Sequence, residues 1–111
     1  MIEKEILSDT DSIYNYLDGE KVLGYLEIRL VDGVLDIMNL FVNEENRHRG
    51  IGFALMKEMI NKEKFDRIML EVNVNNNIAL RLYSKLGFKE ISVRNRYYGD
   101  DDAIIMEMVK Q

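Results

Sequence analysis

The order of apolar and polar residues predicts strands throughout the first part of the chain. Residues 22–30 alternate, with Leu26, Ile28 and Leu30 on one face, which is typical of a half-buried strand. Asp-Gly turn signals stand on either side of this strand and predict antiparallel hairpins. The predicted strands of this part are residues 2–7, for which a short helix is the alternative, 12–17, 22–30 and 34–42.

After residue 42 the apolar residues take the spacing of helices. Ile51, Leu55 and Met59 recur on one face, and a second amphipathic segment follows a run of asparagines, one of which is expected to cap it. Gly87 suits the C-terminal end of that second helix. The predicted elements of this part are a helix over residues 50–62, a strand over 67–72, a helix over 78–86, and strands over 88–93 and 103–109.

The order of these elements predicts an α+β fold. A helix between the strands that end at Val42 and begin at Arg67 makes those two strands parallel neighbours or near neighbours, because a helical crossover returns the chain in the same direction. The remaining connections are short and predict antiparallel pairing. We therefore expect a mixed, mostly antiparallel sheet of six or seven strands with two main helices, in a single domain over residues 1–111.

Composition and charge narrow the class of protein. The chain has 111 residues, of which 47% are apolar and 32% charged, as in an ordinary globular domain. The net charge of −5 argues against nucleic-acid binding, which needs a basic surface. The apolar runs are too short to cross a membrane, and the first residues are charged. Without cysteine there is no thiolate metal site; we expect a cytoplasmic protein that needs no metal.

A glycine-containing segment predicts an anion site at the start of the first helix. It reads Arg47-His48-Arg49-Gly50-Ile51-Gly52 and stands between a strand and a helix. Glycines permit close backbone approach, and the first turn of a helix offers unpaired N–H groups to a phosphate or pyrophosphate. A third glycine and a Gly-Lys-Ser/Thr sequence are missing, so neither a dinucleotide fingerprint nor a Walker loop is present. A plain helix start with a glycine-rich turn is the alternative.

Two ionisable side chains stand beside apolar runs. Glu71 lies between Leu70 and Val72, where burying a carboxylate is costly unless it is paired or functional. It is a candidate general base, and a glutamate that faces solvent is the alternative. Tyr83 lies four residues after Ala79, on the flank of the apolar stripe of the second helix. It is a candidate acid, and core packing is the alternative.

Together the three segments resemble the GNAT N-acetyltransferases in order and spacing. The matching residues are Arg47-x-x-Gly50-x-Gly52, Leu70-Glu71-Val72 and Asn76-x-x-Ala79-x-x-Leu82-Tyr83-x-x-Leu86-Gly87-Phe88. Residues 97–106, with two tyrosines, an acidic loop and an Asp-Ala-x-x-Met strand, are similar to the ribosomal-protein-alanine N-acetyltransferases (RimI type). The resemblance covers about residues 40–108.

The resemblance implies acetyl-CoA as the acetyl donor and assigns its contacts. The strand backbone at Leu40, Phe41 and Val42 is expected to hold the acetyl and pantetheine parts, and Asn76 to contact the cosubstrate beyond the pyrophosphate. The residues expected to hold the pyrophosphate are His48, Arg49, Gly50, Ile51, Gly52 and Phe53.

The same resemblance assigns the chemistry. Glu71 matches the general base and Tyr83 the general acid, roles that agree with an attacking amine that must lose a proton and a leaving thiolate that must gain one. Tyr97 and Tyr98 are expected to clamp a peptide acceptor, with hairpin packing as the alternative. The leading prediction is acetylation of a protein N-terminal α-amine, such as that of a ribosomal protein. The alternatives are acetylation of a polyamine or aminosugar, and a non-catalytic domain that binds CoA.

One departure from the family pattern concerns the N-terminal region. GNAT proteins usually carry two helices between their first and second strands, whereas only residues 8–11 separate the predicted strands here. Those helices normally help to wall the acceptor site, so that side is expected to be open or to be completed by a second subunit. We therefore expect a homodimer, in which the N-terminal region or an edge strand contributes to the interface.

Overall fold

The computed structural model describes residues 1–95 and 101–110, and these residues form seven strands, two α-helices and one 3-10 helix. The elements are β1 (Ile2–Ile6), β2 (Asp11–Asp18), β3 (Lys21–Val31), β4 (Val34–Val42), the 3-10 helix (Glu44–Asn46), α1 (Ile51–Lys62), β5 (Arg67–Asn73), α2 (Asn77–Leu86), β6 (Lys89–Arg94) and β7 (Ala103–Val109). The predicted strands and helices are confirmed to within a residue or two at their ends; the 3-10 helix was not predicted.

The seven strands described form one mixed sheet in the order β1-β2-β3-β4-β5-β7-β6. β4 and β5 are parallel, and the other neighbouring strands are antiparallel. The predicted α+β class and the predicted parallel pairing across α1 are confirmed. None of the helices in residues 1–95 and 101–110 is both long and apolar enough to cross a membrane.

Both helices belong to the same buried cluster as one face of the sheet. Leu55 and Met59 of α1 and Tyr83 of α2 join Leu26 of β3 and Ile68 of β5 in that core. Because side chains alternate along a strand, the residues between these buried positions point to the opposite side. We call the two sides the helix face and the open face.

The open face carries polar side chains on its central strands. Tyr25 of β3 accepts a hydrogen bond from the Asn39 amide of β4, with 3.1 Å between nitrogen and oxygen. Glu71 on β5 lies on the same side, since its neighbours Leu70 and Val72 are buried in the core. This face is therefore available to a polar ligand.

The ends of α2 follow the predicted capping pattern. The Asn76 side-chain oxygen accepts a hydrogen bond from the backbone N–H of Ala79 at 3.1 Å, which satisfies one donor of the first turn. Gly87 ends the helix in the left-handed conformation, with φ of 104°. The two caps fix the ends of α2, the helix that carries Tyr83.

β1 and β2 are joined directly by a short turn over residues 7–10, so the described chain has no helices at this place in the fold. Instead, β1 is attached to the end of α1 through Lys4, whose ammonium lies 2.8 Å from the Glu63 carboxylate. Glu63 is nearly buried and also accepts a hydrogen bond from the Tyr14 hydroxyl of β2. These three side chains hold the outer strands against the C-terminal end of α1.

Candidate active site

β4 and β5 are paired only near their beginnings. The pairing ends where Asp36 lies opposite Met69, although β4 continues to Val42 and β5 to Asn73. Beyond that point a cavity of about 220 Å³ is lined by residues of both strands and of α2. The two strands therefore separate, and we call the space between them the β4–β5 cleft.

A β-bulge explains why β4 leaves its neighbour. The register of β3 against β4 skips Met38, which is an extra residue on β4. An extra residue bends a strand and increases its twist, so the bulge directs the last part of β4 away from β5. The sequence contains a signal for it, because the apolar alternation of Leu35 and Ile37 changes phase before Leu40 and Val42.

The β4–β5 cleft brings together four of the residues selected from the sequence. Its cavity is lined by Leu40 of β4, Glu71 of β5, Tyr83 of α2, and Asn76, which caps α2. Ala79 of the same helix completes this part of the lining. Residues from three elements and more than forty positions of sequence thus meet at the opening in the sheet.

Glu71 approaches the cleft from the open face. Its side chain is about 30% exposed, and its Oε2 lies 3.1 Å from Nη1 of Arg94 on β6. The carboxylate is therefore neither buried nor isolated, and it is held by an ion pair at the mouth of the cleft. Arg94 was not selected from the sequence, and nothing in the local pattern of β6 connects it to Glu71.

Tyr83 approaches the cleft from the helix face. It is buried, and its ring packs edge-on against Phe88 with 5.8 Å between the centroids. Burial raises the pKa of the Tyr83 phenol, so the hydroxyl keeps its proton at neutral pH. The two candidate catalytic groups therefore reach the cleft from opposite sides of the sheet. The carboxylate is partly exposed, and the phenol is buried.

The start of α1 has the geometry of an anion site. Gly50 caps the helix in the left-handed conformation, with φ of 78° and without a side-chain hydrogen bond to the first turn. The first N–H groups of a helix have no partner within it and carry a positive partial charge. A Cβ added to Gly52 would lie 3.8 Å from Leu40 of β4, so this turn stands beside the last part of β4.

The loop before α1 is held by its own arginines. Arg47 donates from Nε to the carbonyl oxygen of Val42 at 3.2 Å, and Arg49 donates to the Asn46 side-chain oxygen at 2.9 Å. Asn46 is buried, and His48 is exposed in the left-handed region with φ of 67°. The predicted residues His48 and Arg49 therefore come directly before Gly50, while Asn46 is a supporting residue that sequence reasoning missed.

Gly24 of β3 is a second missed residue. A Cβ added there would lie 2.7 Å from the carbonyl oxygen of Phe41 and 3.2 Å from Cγ2 of Ile51. Glycine is therefore required where α1 begins close to β3 and β4. At Gly52, by contrast, no other part of the protein requires glycine. A Cβ added there would make ordinary contacts, and the nearest side chain would be Leu82 at 3.5 Å.

The other predicted contact residues are divided between the two faces. Phe41 packs on Tyr25 with 5.6 Å between the centroids, so its side chain lies on the open face and only its backbone belongs to the cleft side of β4. Phe53, in the first turn of α1, has the Lys85 ammonium 5.0 Å and the Lys57 ammonium 6.0 Å from its ring centroid. These two lysines place positive charge beside the anion site. Val42 is partly buried at the end of β4.

Tyr97 and Tyr98 lie outside the described residues. Described residues on either side of them contact β5 and the turn that follows it. Arg94 contacts Glu71, and Asp101 accepts hydrogen bonds from the side-chain amides of Asn73 and Asn75 at 3.0 and 2.8 Å.

Residues 1–95 and 101–110 contain no group of three or more His, Asp or Glu side chains placed to bind a metal ion.

The fold is that of an acetyltransferase family. The profile of the acetyltransferase (GNAT) family matches residues 2–88, which is most of the chain, and the chain belongs to this family. A curated relative, the N-alpha-acetyltransferase of Sulfurisphaera tokodaii, is 38% identical in an alignment that covers 81% of this chain and 64% of the relative. The [Ribosomal protein bS18]-alanine N-acetyltransferase of Escherichia coli is 35% identical, over 65% of this chain and 53% of the relative.

Solved structures agree with the family assignment. The crystal structure of the ribosomal-protein-S18-alanine N-acetyltransferase from Escherichia coli superposes with a TM-score of 0.86 and 27% identity, over 92% of this chain and 70% of that one. A putative streptothricin acetyltransferase from Bacillus anthracis, in complex with acetyl coenzyme A, has the same fold, with a TM-score of 0.81 at 23% identity, over 95% of this chain and 65% of that one. This chain spans 64% and 53% of the length of the two curated relatives.

Proposed function

We propose that this chain transfers an acetyl group from acetyl-CoA to the N-terminal α-amine of a protein. The observation that carries the proposal is the β4–β5 cleft, which Glu71 reaches from the open face and Tyr83 from the helix face. Family membership supports acetyl transfer, and the names of the two curated relatives support an α-amine as the acceptor. The proposal treats residues 1–111 as one domain.

The proposed position of acetyl-CoA follows from the open hydrogen-bonding groups of two elements. The pyrophosphate lies against the first turn of α1, near His48, Arg49 and Gly50, where the helix N-terminus favours negative charge. The pantetheine arm extends along β4 past Val42 and Leu40, where β5 is no longer paired and strand N–H and C=O groups are available. The thioester then lies inside the cleft.

The reaction proceeds by direct attack. The Glu71 carboxylate takes a proton from the acceptor amine, directly or through a water molecule, and the nitrogen attacks the thioester carbonyl carbon. A backbone N–H of β4 stabilises the oxyanion that forms. The carbon–sulfur bond breaks, the thiolate of CoA accepts a proton from the Tyr83 hydroxyl, and an amide remains on the acceptor. No covalent bond to the protein forms in this route.

Two other functions are alternatives, and the acceptor experiment described below distinguishes them from the proposed one. The turn that joins β1 directly to β2 leaves the open face less walled, which favours a small amine as acceptor. A domain that binds CoA without catalysis would need neither a carboxylate nor a phenol at the cleft, and this chain has both.

The test measures CoA release from acetyl-CoA across three classes of acceptor: peptides with free N-termini, polyamines and aminoglycosides. We expect turnover on the peptides, with mass spectrometry placing the acetyl group on the α-nitrogen. In Glu71→Gln, acetyl-CoA binding should remain and turnover should fall by ~10²–10⁴. Turnover on polyamines or aminoglycosides alone would support the small-amine function. Binding of acetyl-CoA without turnover on any acceptor would support the non-catalytic one.

A further inference from the structure

Arg94 reaches Glu71 across an intervening strand. The sheet order places β7 between β5 and β6, and Glu71 lies opposite Ile105 of β7, whereas Arg94 lies opposite Ala103. The arginine side chain therefore crosses the open face diagonally before its Nη1 comes within 3.1 Å of Oε2 of Glu71. The guanidinium thus stands where an acceptor amine must arrive.

A guanidinium in this position affects charged and neutral amines differently. An acceptor that arrives as an ammonium must share the Glu71 carboxylate with Arg94, and the two cations repel each other at short range. A neutral amine meets no such repulsion and can still use the carboxylate as its base. Arg94 therefore disfavours acceptors that are cationic at the pH of the reaction.

Biological amines differ strongly in this property. An α-amino group has a pKa of about 7.7–8.0 and a lysine side chain one of about 10.4, so at about pH 7.5 roughly a third of α-amines and about a thousandth of lysine amines are neutral. A cleft that penalises a second cation consequently favours protein N-termini over lysine side chains and polyamines.

We propose that Arg94 is a positioning residue that holds the Glu71 carboxylate at the cleft and selects neutral α-amines over cationic amines as acceptors. This inference rests on the proposed function, and it identifies the contact between Arg94 and Glu71 as the feature that makes α-amines the preferred acceptors. It concerns a contact between two side chains 23 positions apart.

The chain contains a matched control for this ion pair. Arg67 of β5 donates to the Glu107 carboxylate of β7 at 2.9 Å, and this pair is also a partly exposed arginine–glutamate contact between residues of the same sheet. Arg67 lies four positions before Glu71, in the part of β5 that pairs with β4 and not at the cleft. Arg67→Gln therefore removes a similar ion pair without changing the charge beside Glu71.

The experiment compares Arg94→Gln, Arg94→Lys and Arg67→Gln with the parent on three acceptors at about pH 7.5. The acceptors are a lysine-free peptide with a free N-terminus, an Nα-blocked peptide with one lysine, and spermidine. In Arg94→Gln the preference for the α-amine, as a ratio of kcat/KM values, should fall by about tenfold or more, chiefly through a lower KM for the cationic acceptors. Arg94→Lys should restore most of the preference, and Arg67→Gln should leave it within about twofold.

The possible failures are distinguishable. A parent without preference, or a ratio of kcat/KM values that is unchanged in Arg94→Gln, would overturn the proposed selection while leaving acetyl transfer intact. An equal loss of kcat/KM on all three acceptors would also overturn the selection, because it would show only that Arg94 holds Glu71 in place. A parent that turns over none of the acceptors would overturn the proposed function, and this inference with it. Melting temperatures and acetyl-CoA affinities of the three variants identify a variant that is misfolded. If Arg94→Gln is misfolded, Arg94→Met, which also removes the charge, is measured in its place.

Discussion

The phenol of Tyr83 combines packing with the protonation state that an acid needs. Its ring contacts Phe88 in the core, and burial raises its pKa, because the phenolate is poorly solvated there. The phenol is protonated at neutral pH, as an ordinary tyrosine is, and is therefore available as a proton donor at the cleft. The two interpretations of this residue, packing and acid catalysis, are compatible with each other.

Replacing Tyr83 by phenylalanine separates the two contributions. Tyr83→Phe keeps the ring, so we expect the melting temperature and the acetyl-CoA affinity to change little. Turnover should fall by ~10–10³ in kcat rather than KM, because the proton is needed only as the thioester breaks. The loss should be smaller with a thioester whose thiol has a lower pKa. Equal turnover of variant and parent on both thioesters, with chemistry rate-limiting, would leave Tyr83 a packing residue.

Tyr14 carries a second phenol with a perturbed pKa, far from the cleft. Burial, followed by its hydrogen bond to Glu63 and the charge of that carboxylate, raises the Tyr14 pKa above its ordinary value of 10.0. Below pH 10 the phenol is protonated in both the folded and the unfolded chain. Above pH 10 the unfolded chain releases a proton that the folded chain retains, so stability decreases as the pH rises.

Tyr14→Phe should make this pH dependence visible. At neutral pH the variant loses the hydrogen bond to Glu63, and we expect the free energy of unfolding to fall by about 1–2 kcal/mol. Above about pH 10 the parent should lose stability faster than the variant, so the difference between them should shrink. Urea unfolding at neutral and alkaline pH measures both effects.

Tyr25→Phe, on the open face, is the control and should change the free energy of unfolding by less than about 0.5 kcal/mol. A stability difference between the parent and Tyr14→Phe that grows as the pH rises would contradict the argument.

At the scale of elements, the start of α1 depends on two glycines for different reasons. Gly24 permits the backbone of β3 to lie against Phe41 and Ile51, and its requirement comes from the protein itself. Gly52 meets only ordinary contacts within the protein, so a requirement for glycine there would come from a ligand on the first turn. The position of α1 and its proposed anion site can therefore be tested separately.

The matched pair Gly24→Ala and Gly52→Ala performs this separation. Gly24→Ala should lower the free energy of unfolding by about 1–3 kcal/mol, because the new methyl group overlaps a backbone oxygen. Gly52→Ala should change it by no more than about 1 kcal/mol, while acetyl-CoA affinity should fall by about tenfold, or ~1.4 kcal/mol. Urea unfolding and calorimetry measure the two quantities. Unchanged acetyl-CoA affinity in a folded Gly52→Ala variant would move the pyrophosphate away from this turn.

At the scale of the whole molecule, β1 and β6 are the outer strands of the described sheet, and both expose apolar side chains. Ile6 of β1 is 73% exposed, and Ile91 and Val93 of β6 are about half exposed. An outer strand offers unpaired backbone groups to another chain. A second copy is one way to cover these strands, and the homodimer expected from the sequence stays a prediction.

Sedimentation at tens of micromolar tests this expectation. We expect the parent to sediment as a dimer, and a lysine on the strand that forms the interface to dissociate it, because a desolvated charge at an interface is costly. Val93→Lys and Ile6→Lys are a matched pair that identifies which outer strand is used. A parent that is monomeric and fully active would contradict the prediction.

The local pattern was sufficient for the elements and their order. The predicted limits of β4, residues 34–42, and of β7, residues 103–109, agree with the structure residue for residue. One asparagine of the run was expected to cap α2 and Gly87 to end it, and Asn76 and Gly87 lie at those positions. Apolar periodicity, turn residues and helix caps act within a few positions of the chain, so the sequence alone contains the information. Glu71 and Tyr83 were selected from their positions beside apolar runs, and Leu40 and Asn76 through the resemblance to a family; the roles of all four stay predictions.

The opening of the cleft and the contacts around it depended on the folded chain. The bulge at Met38 separates β4 from β5 because of the register against β3, and register is a relation between strands. The pairing of Arg94 with Glu71, and the contacts that Glu63 makes with Tyr14 and Lys4, join residues that no local pattern relates. Sheet order and packing bring these side chains within hydrogen-bonding distance, since distances between remote residues are set only when the whole sheet forms.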